Sequence, residues 1–335
     1  MKKSIALLLL MLSATLALPV SAGSLEEDMK SAGQGDREGQ FQMGLRYQAG
    51  KDVEQDIGKA IEWYRKAARQ GLAKAQTNLG NLYRAGQGID KDHAEAMRWY
   101  RAAAEQGDTR AMVNIAMMYA TGEGVEKDEA TGFKWLEQAA GKGDVQAMVQ
   151  LGMLYKTGRG VEKNPDMSTQ WFALAAARDD AVAQHNLGLS YFSGKGNRKD
   201  YEESVKWHRK AANKGYPPAE YSMGLRYAKG HGVKADPAEA ASWYRKAAGH
   251  GHPAAQNNLG LMYRKGQGVK RDYAEALKWF RKAAERGYPR AQYNLGNMYL
   301  KGMGVKQDRT DAKEWFGRAA ERGHKGARKA LDTMK

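Results

Sequence analysis

The 335-residue sequence contains no cysteine, which excludes disulfides, thiolate metal sites and a cysteine-linked lipid anchor. Long apolar runs are almost as scarce. Ile5 to Leu18 is nearly unbroken, and nothing after it approaches the roughly 20 residues that cross a bilayer. Lys2 and Lys3 precede this run and Val20-Ser21-Ala22 follows it, the plan of a secretory signal cut after Ala22. The expected product is periplasmic or secreted and does not span the membrane. Gly23 to Gly35 is small and polar and reads as a short lead-in. Acidic residues are outnumbered, 38 against 54 basic ones, for a net charge of +16. Such a balance attracts anionic surfaces. For an exported chain that points to envelope or host-surface polymers, lipids or acidic proteins, with no nucleic acid expected.

What the sequence has in abundance is repetition. All eight tryptophans, from Trp63 to Trp315, are spaced by 36 residues, and eight tyrosines from Tyr47 to Tyr299 keep the same step. An Ala-Ala pair follows every tryptophan by four residues. In the unit from Leu72 to Gly107, Ala75, Leu79, Leu82 and Tyr83 fall at i, i+4, i+7 and i+8, the apolar stripe of an amphipathic helix. Gly86-Gln87-Gly88 ends that helix, because glycine takes a left-handed cap without strain. Asp92 then caps a second helix, and Glu95 three residues on predicts a capping box. The cap column reads Asp56, Asp92, Asp128, Asn164, Asp200, Asp236, Asp272 and Asp308, all good caps. Pro165 and Pro237 follow two of them, at the first helical position, where proline is tolerated.

Gly80 and its equivalents interrupt the first helix in every unit but one, where Ala116 stands instead. Glycine inside a helix costs about 1 kcal/mol relative to alanine, so close approach of the neighbouring helix is expected, with the tryptophan covering the gap. A hairpin of this kind buries its apolar face only by stacking on copies of itself, and the ends need caps. The expected layout is a signal at 1–22, a lead-in at 23–35, eight repeats at 36–323 and a capping helix at 324–335. The fold class is all-α, a solenoid of antiparallel helix-turn-helix repeats.

The unit Ala75-x-x-x-Leu79-Gly80-x-x-Tyr83-x-x-Gly86-x-Gly88-x-x-x-Asp92, followed by Ala96-x-x-Trp99-x-x-x-Ala103-Ala104-x-x-Gly107, resembles the Sel-1-like repeat, a relative of the tetratricopeptide repeats. The resemblance covers roughly residues 36 to 335. It departs at Asp52, Asp179 and Asn197, which replace two turn glycines and a turn valine, and these leave local loop shape open. It implies a right-handed superhelix whose first helices line the concave side. It also implies an exported adaptor, as bacterial members commonly are. A cysteine-rich branch of the family is associated with β-lactam chemistry, and this chain has none of its cysteines.

A search for chemistry finds little. No serine has lysine three residues later, the arrangement that a penicillin-recognising acyl-transfer site needs. Lys156-Thr157-Gly158 matches one element of such sites but lies on an ordinary inter-helix turn. The glycine turns follow helices and lack the P-loop and dinucleotide endings. His250 and His252 flank Gly251, short of the three or four ligands of a zinc site. No catalytic residue, metal site or cofactor is therefore expected. Arg65-Lys66, Arg209-Lys210, Arg245-Lys246 and Arg281-Lys282 form a basic row two residues after a tryptophan, attributable to solvation and helix-dipole complementarity or to an anionic partner.

The binding candidates lie on the first helices. One column reads Gln42, Asn78, Asn114, Gln150, Asn186, Ser222, Asn258 and Asn294. Amides there could bond an extended peptide or bond one another and fix repeat orientation. The next column varies more, with Tyr221 and Tyr293 as aromatic anchors. The expected function is a scaffold that holds a protein or peptide partner in the concave groove. The alternatives are binding of anionic polymer through the basic surface and, last, a cell-wall or β-lactam hydrolase.

Overall fold

The computed structural model describes residues 23–334, so the expected signal segment lies outside the described residues. Eighteen α-helices and no strand occur among the described residues. Within each of its two compact units, each helix packs on the next one along the chain, and the fold is an all-α solenoid. Two compact units divide the chain, one ending at Asn164 and the other starting at Pro165. The first holds the helix Leu25–Gly33, three complete helix pairs and Val145–Thr157. The second starts with Pro165–Ala177, continues through four complete pairs and closes with Lys325–Asp332.

Each pair is pinned by its backbone. The first helix ends on a left-handed glycine such as Gly86, at φ 68°, and Gly88 follows at φ 70°. Asp92 accepts from the N–H groups of Ala94 and Glu95, both at 2.9 Å. The predicted capping box does not close at this position. The Asp92 N–H donates instead to the Tyr83 carbonyl at 2.9 Å, and Glu95 pairs with Arg98 at 2.8 Å. All eight cap residues make this link to the carbonyl of their tyrosine, at 2.9–3.0 Å. The turn therefore satisfies a cap donor with main chain, and the glutamate is released to the surface. Asp52 and Asp179 keep the left-handed turn at φ 61° and 67°, a strain of about 1 kcal/mol each. Both carboxylates are tied down, Asp52 by Arg46 and Asp179 by Lys214.

The helix-interior glycines do permit close approach, but the tryptophan is not what fills the gap. A Cβ on Gly80 would lie 2.7 Å from the Tyr100 ring, one on Gly44 2.5 Å from Tyr64, and one on Gly260 2.7 Å from Phe280. The buried residue is in each case the one after the tryptophan. Tyr64, Tyr100, Phe280 and Phe316 are wholly inaccessible, whereas the tryptophans are half-buried, with Trp243 alone fully covered. One step along a helix turns a side chain by about 100°, so only one of two adjacent aromatics can face the partner helix. The Ala116 exception is compensated across the interface. Gly132 stands where the other pairs carry alanine or serine, and a Cβ there would meet the Ala116 carbonyl at 2.8 Å.

The basic row also has work inside the fold. Arg65, Arg209, Arg245 and Arg281 each donate to the tyrosine hydroxyl of the following repeat, at 3.3, 2.8, 3.2 and 2.6 Å. Lys66, Lys210, Lys246 and Lys282 lie over the rings of Trp63, Trp207, Trp243 and Trp279, 4.0–4.8 Å from the centroids. Cation–π contacts and inter-repeat hydrogen bonds thus add a structural role to the solvation and dipole complementarity expected of this row.

The stretch read as a lead-in is largely helical, from Leu25 to Gly33, and it does carry a closed capping box between Ser24 and Glu27. Carrying the 36-residue step backward sets Ala32 on Ala68 and Gly35 on Gly71. This helix therefore stands as the second helix of an incomplete repeat. At the other end, Lys325–Asp332 is capped by the His324 Nδ1 at 3.1 Å. It buries Ala327 and half-covers Leu331 against the eighth pair.

Candidate functional site

The amide column lies on the first helices but is mostly engaged by the protein itself. Asn114 donates to Asn81 at 2.9 Å. Asn294 donates to Asn257 of the preceding repeat at 2.8 Å. Asn186 donates to the Val182 carbonyl of its own helix at 2.9 Å. Asn78 lies near the Tyr64 hydroxyl, which donates to Gln48 at 2.6 Å, and Asn258 accepts from Asn257 at 3.4 Å near the hydroxyls of Tyr221 and Tyr244. Burial raises the Tyr244 phenol to about 12, so it stays a neutral partner. Gln150 is buried. Asn114 and Asn294 thus link adjacent repeats, and a half-buried amide left unpaired costs more than one bonded to its neighbour.

Tyr221 and Tyr293 are half-buried and share one construction. Each stacks on a histidine, Tyr221 on His252 at 4.6 Å and Tyr293 on His324 at 4.5 Å between centroids. Each also tilts onto the buried ring of its own pair, Tyr244 or Phe316. Both histidines cap a helix by accepting an N–H at Nδ1, 3.2 Å for His252 and 3.1 Å for His324. The cap requires neutral imidazole, and burial lowers both pKa values in that direction. His250 faces elsewhere, with its Nδ1 2.9 Å from the buried Glu220 carboxylate. The two histidines flanking Gly251 thus serve different partners. No cluster of three or more metal-binding side chains occurs among the described residues. Thr157, in the Lys-Thr-Gly turn, returns its hydroxyl to the Met153 carbonyl at 2.8 Å.

The concavity that sequence reasoning missed lies between Ala181–Ser193 and Pro217–Lys229, the first helices of the fifth and sixth repeats. It encloses about 420 Å³. Its walls include Leu189, Phe192, Tyr221 and Leu225, and its polar groups include Arg226 and His231. Arg226 is only 4% exposed, with its guanidinium carbon 3.5 Å from the Phe192 ring centroid. Burial lowers its pKa to about 10. His208, behind His185 at 5.2 Å between ring centroids, is wholly buried. Its pKa falls well below 6.5 through burial first, then through His185 and Arg226. A signal for this site existed. Arg226 interrupts a column that otherwise reads Leu82, Met118, Leu154, Ser190, Met262 and Met298, apart from Arg46.

The Sel1 repeat matches eight times without a gap, from residues 37–72 to residues 289–324. The chain belongs to the Sel1-repeat family. It is similar to a Sel1 repeat protein from Oxalobacter formigenes, 31% identical, with a TM-score of 0.75 and coverage of 96% of this chain and 99% of that one. It is also similar to c5321, a protective antigen present in uropathogenic Escherichia coli strains. That chain is 34% identical, with a TM-score of 0.67 and coverage of 92% of this chain and 73% of that one. No curated protein sequence matches the chain. Proteins built from such repeats generally mediate protein–protein interaction, and the family's scaffolds are generally non-catalytic. Among the described residues no helix is long and apolar enough to cross a membrane.

Proposed function

We propose that this chain is an exported adaptor that holds a protein or peptide segment along its first helices and performs no catalysis. The observation that carries the reading is the partly exposed apolar row Leu189, Leu225 and Leu261 beside Tyr221 and Tyr293. These side chains stand on a frame in which Asn114, Asn186 and Asn294 are already bonded within the protein. A rigid, pre-organised surface loses little entropy when it binds, and aromatic anchors dominate such contacts. In this reading Tyr221 and Tyr293 touch the partner. Asn78, Asn114, Gln150, Asn186, Asn258 and Asn294 line the same face and fix its shape. Export is supported by the sequence of the first 22 residues and by the likeness to a bacterial protective antigen.

Affinity capture from an envelope extract with the exported chain tests the proposal. Tyr293→Ala should weaken capture by at least tenfold, as loss of an aromatic hot spot does. Arg245→Ala combined with Lys246→Ala should leave capture unchanged at moderate salt. The opposite pattern, with steep salt dependence, would transfer the function to the basic surface.

A further inference from the structure

Arg46 and Arg226 are the tenth residues of the first and sixth repeats and are both buried, at 1% and 4% exposure. Their surroundings differ in one respect. Arg46 meets the Asp28 carboxylate at 2.7 Å, the Asp52 carboxylate, and the Gly23 carbonyl at 2.5 Å. Stepping forward by the repeat, His208 stands where Asp28 would be and Gly232 where Asp52 would be. Arg226 is left with no hydrogen bond or ion pair among the described residues. Its Nε is buried without a partner, and so is the Nδ1 of His231. A buried guanidinium without an anion is costly, and this one borders a 420 Å³ cavity lined by no carboxylate.

We infer that this cavity is a binding site for an organic carboxylate carried on an apolar body. The inference rests on the first-helix face being the binding face proposed above. The Arg46 environment identifies the ligand chemistry, since the same residue at the same repeat position there is met by carboxylates. Arg226 supplies a planar donor fork to the carboxylate, and His231 supplies a second polar contact. Leu189, Phe192 and Leu225 take the apolar body. The volume falls in the range of small-molecule sites and admits one large side chain together with its terminal carboxyl group. Two sources carry this chemistry, a free aromatic or branched acid and the C-terminal residue of a peptide.

Isothermal titration of the exported chain with 3-phenylpropionate, N-acetylglycyl-phenylalanine and the amide of that dipeptide tests the site. At least one acid should bind saturably and the amide should not. Binding by both acids assigns a site that needs only the acid, and binding by the dipeptide alone assigns a chain terminus. Arg226→Met should weaken the bound acid by more than tenfold. Methionine occupies this position in three sister repeats, so the thermal melt should hold or rise. Arg226→Lys should retain part of the affinity, through charge without the fork. Arg46→Met should lower the melt and leave binding intact. Three results would overturn the inference: no saturable binding of either acid up to about 10 mM, equal binding of the amide, or undiminished binding by Arg226→Met. If partner capture survives in a chain that binds neither acid, the adaptor proposal stands and this inference falls.

Discussion

The fifth and sixth repeats differ from the seventh and eighth at positions that should be interchangeable. In the later pair the core positions hold Phe280, Phe316, Met262 and Met298, all buried. In the earlier pair the same columns hold His208, Tyr244, Ser190 and Arg226, and the turn valine of the later repeats is replaced by Asn197. Unpartnered buried polar atoms accompany the change, at Asn197, His208 and Arg226. The backbone is indifferent to the substitution, because helix lengths and left-handed turn glycines are the same in all four repeats. A solenoid tolerates such local costs, since each repeat is stabilised by its neighbours on both sides. The comparison teaches that polar intrusion in this fold is local, and that it coincides with the cavity.

The largest effect is expected on the apolar side of the comparison. Phe280→Ala removes a wholly buried ring from over Gly260 and should cost about 3–5 kcal/mol. Trp279→Ala, one residue earlier but half-buried, should cost clearly less, and chemical denaturation of the two variants separates them. Equal losses would restore the tryptophan as the gap-filling residue.

Acid should separate the two regions next. The folded-state pKa of His208 is depressed, so its contribution is complete above pH 6.5 and declines as the pH falls toward the folded value. His185 and Arg226 reinforce the sign by disfavouring a further positive charge, while Ser204 acts weakly against it, its hydroxyl donating to the Gly188 carbonyl and lying 3.2 Å from the His208 Nδ1. His208→Phe combined with Ser204→Ala copies the seventh repeat and should flatten the melting temperature between pH 8 and pH 5. The His252 and His324 caps, which also need neutral rings, would account for the acid sensitivity that remains. No change in slope would remove His208 from the account.

Asn197→Val should raise stability by about 1–2 kcal/mol, because both amide atoms are buried without partners and valine satisfies the same slot without them. A loss of stability would mean the amide has a role in the turn. The smallest effect belongs to Asn294→Ala, which deletes one hydrogen bond to Asn257 and should cost about 1 kcal/mol, visible in urea denaturation. A larger loss would raise the amide column from fine adjustment of repeat orientation to a main support.

The sequence alone determined the architecture. Thirty-six-residue spacing, cap aspartates, turn glycines and small residues at the helix crossing each follow from local backbone physics, and every repeat restates them. It also located the first helices as the face to watch, and named Tyr221 and Tyr293 on it. What it could not decide were questions of direction and partnership. Trp99 and Tyr100 are adjacent aromatics in the sequence, and only the packed helix pair shows which one covers Gly80. Glu95 has capping-box spacing, yet the cap donor goes to the Tyr83 carbonyl across the turn. Asn294 is equally suited to a ligand or to Asn257 until the preceding repeat is in place. Arg46 and Arg226 read alike along the chain, and only tertiary structure gives one its carboxylates and leaves the other facing a cavity. Periodicity fixes which residues share a face, because the helix turn is constant. Hydrogen-bond partners and empty volume depend on side chains from distant segments meeting in space, which no local pattern encodes.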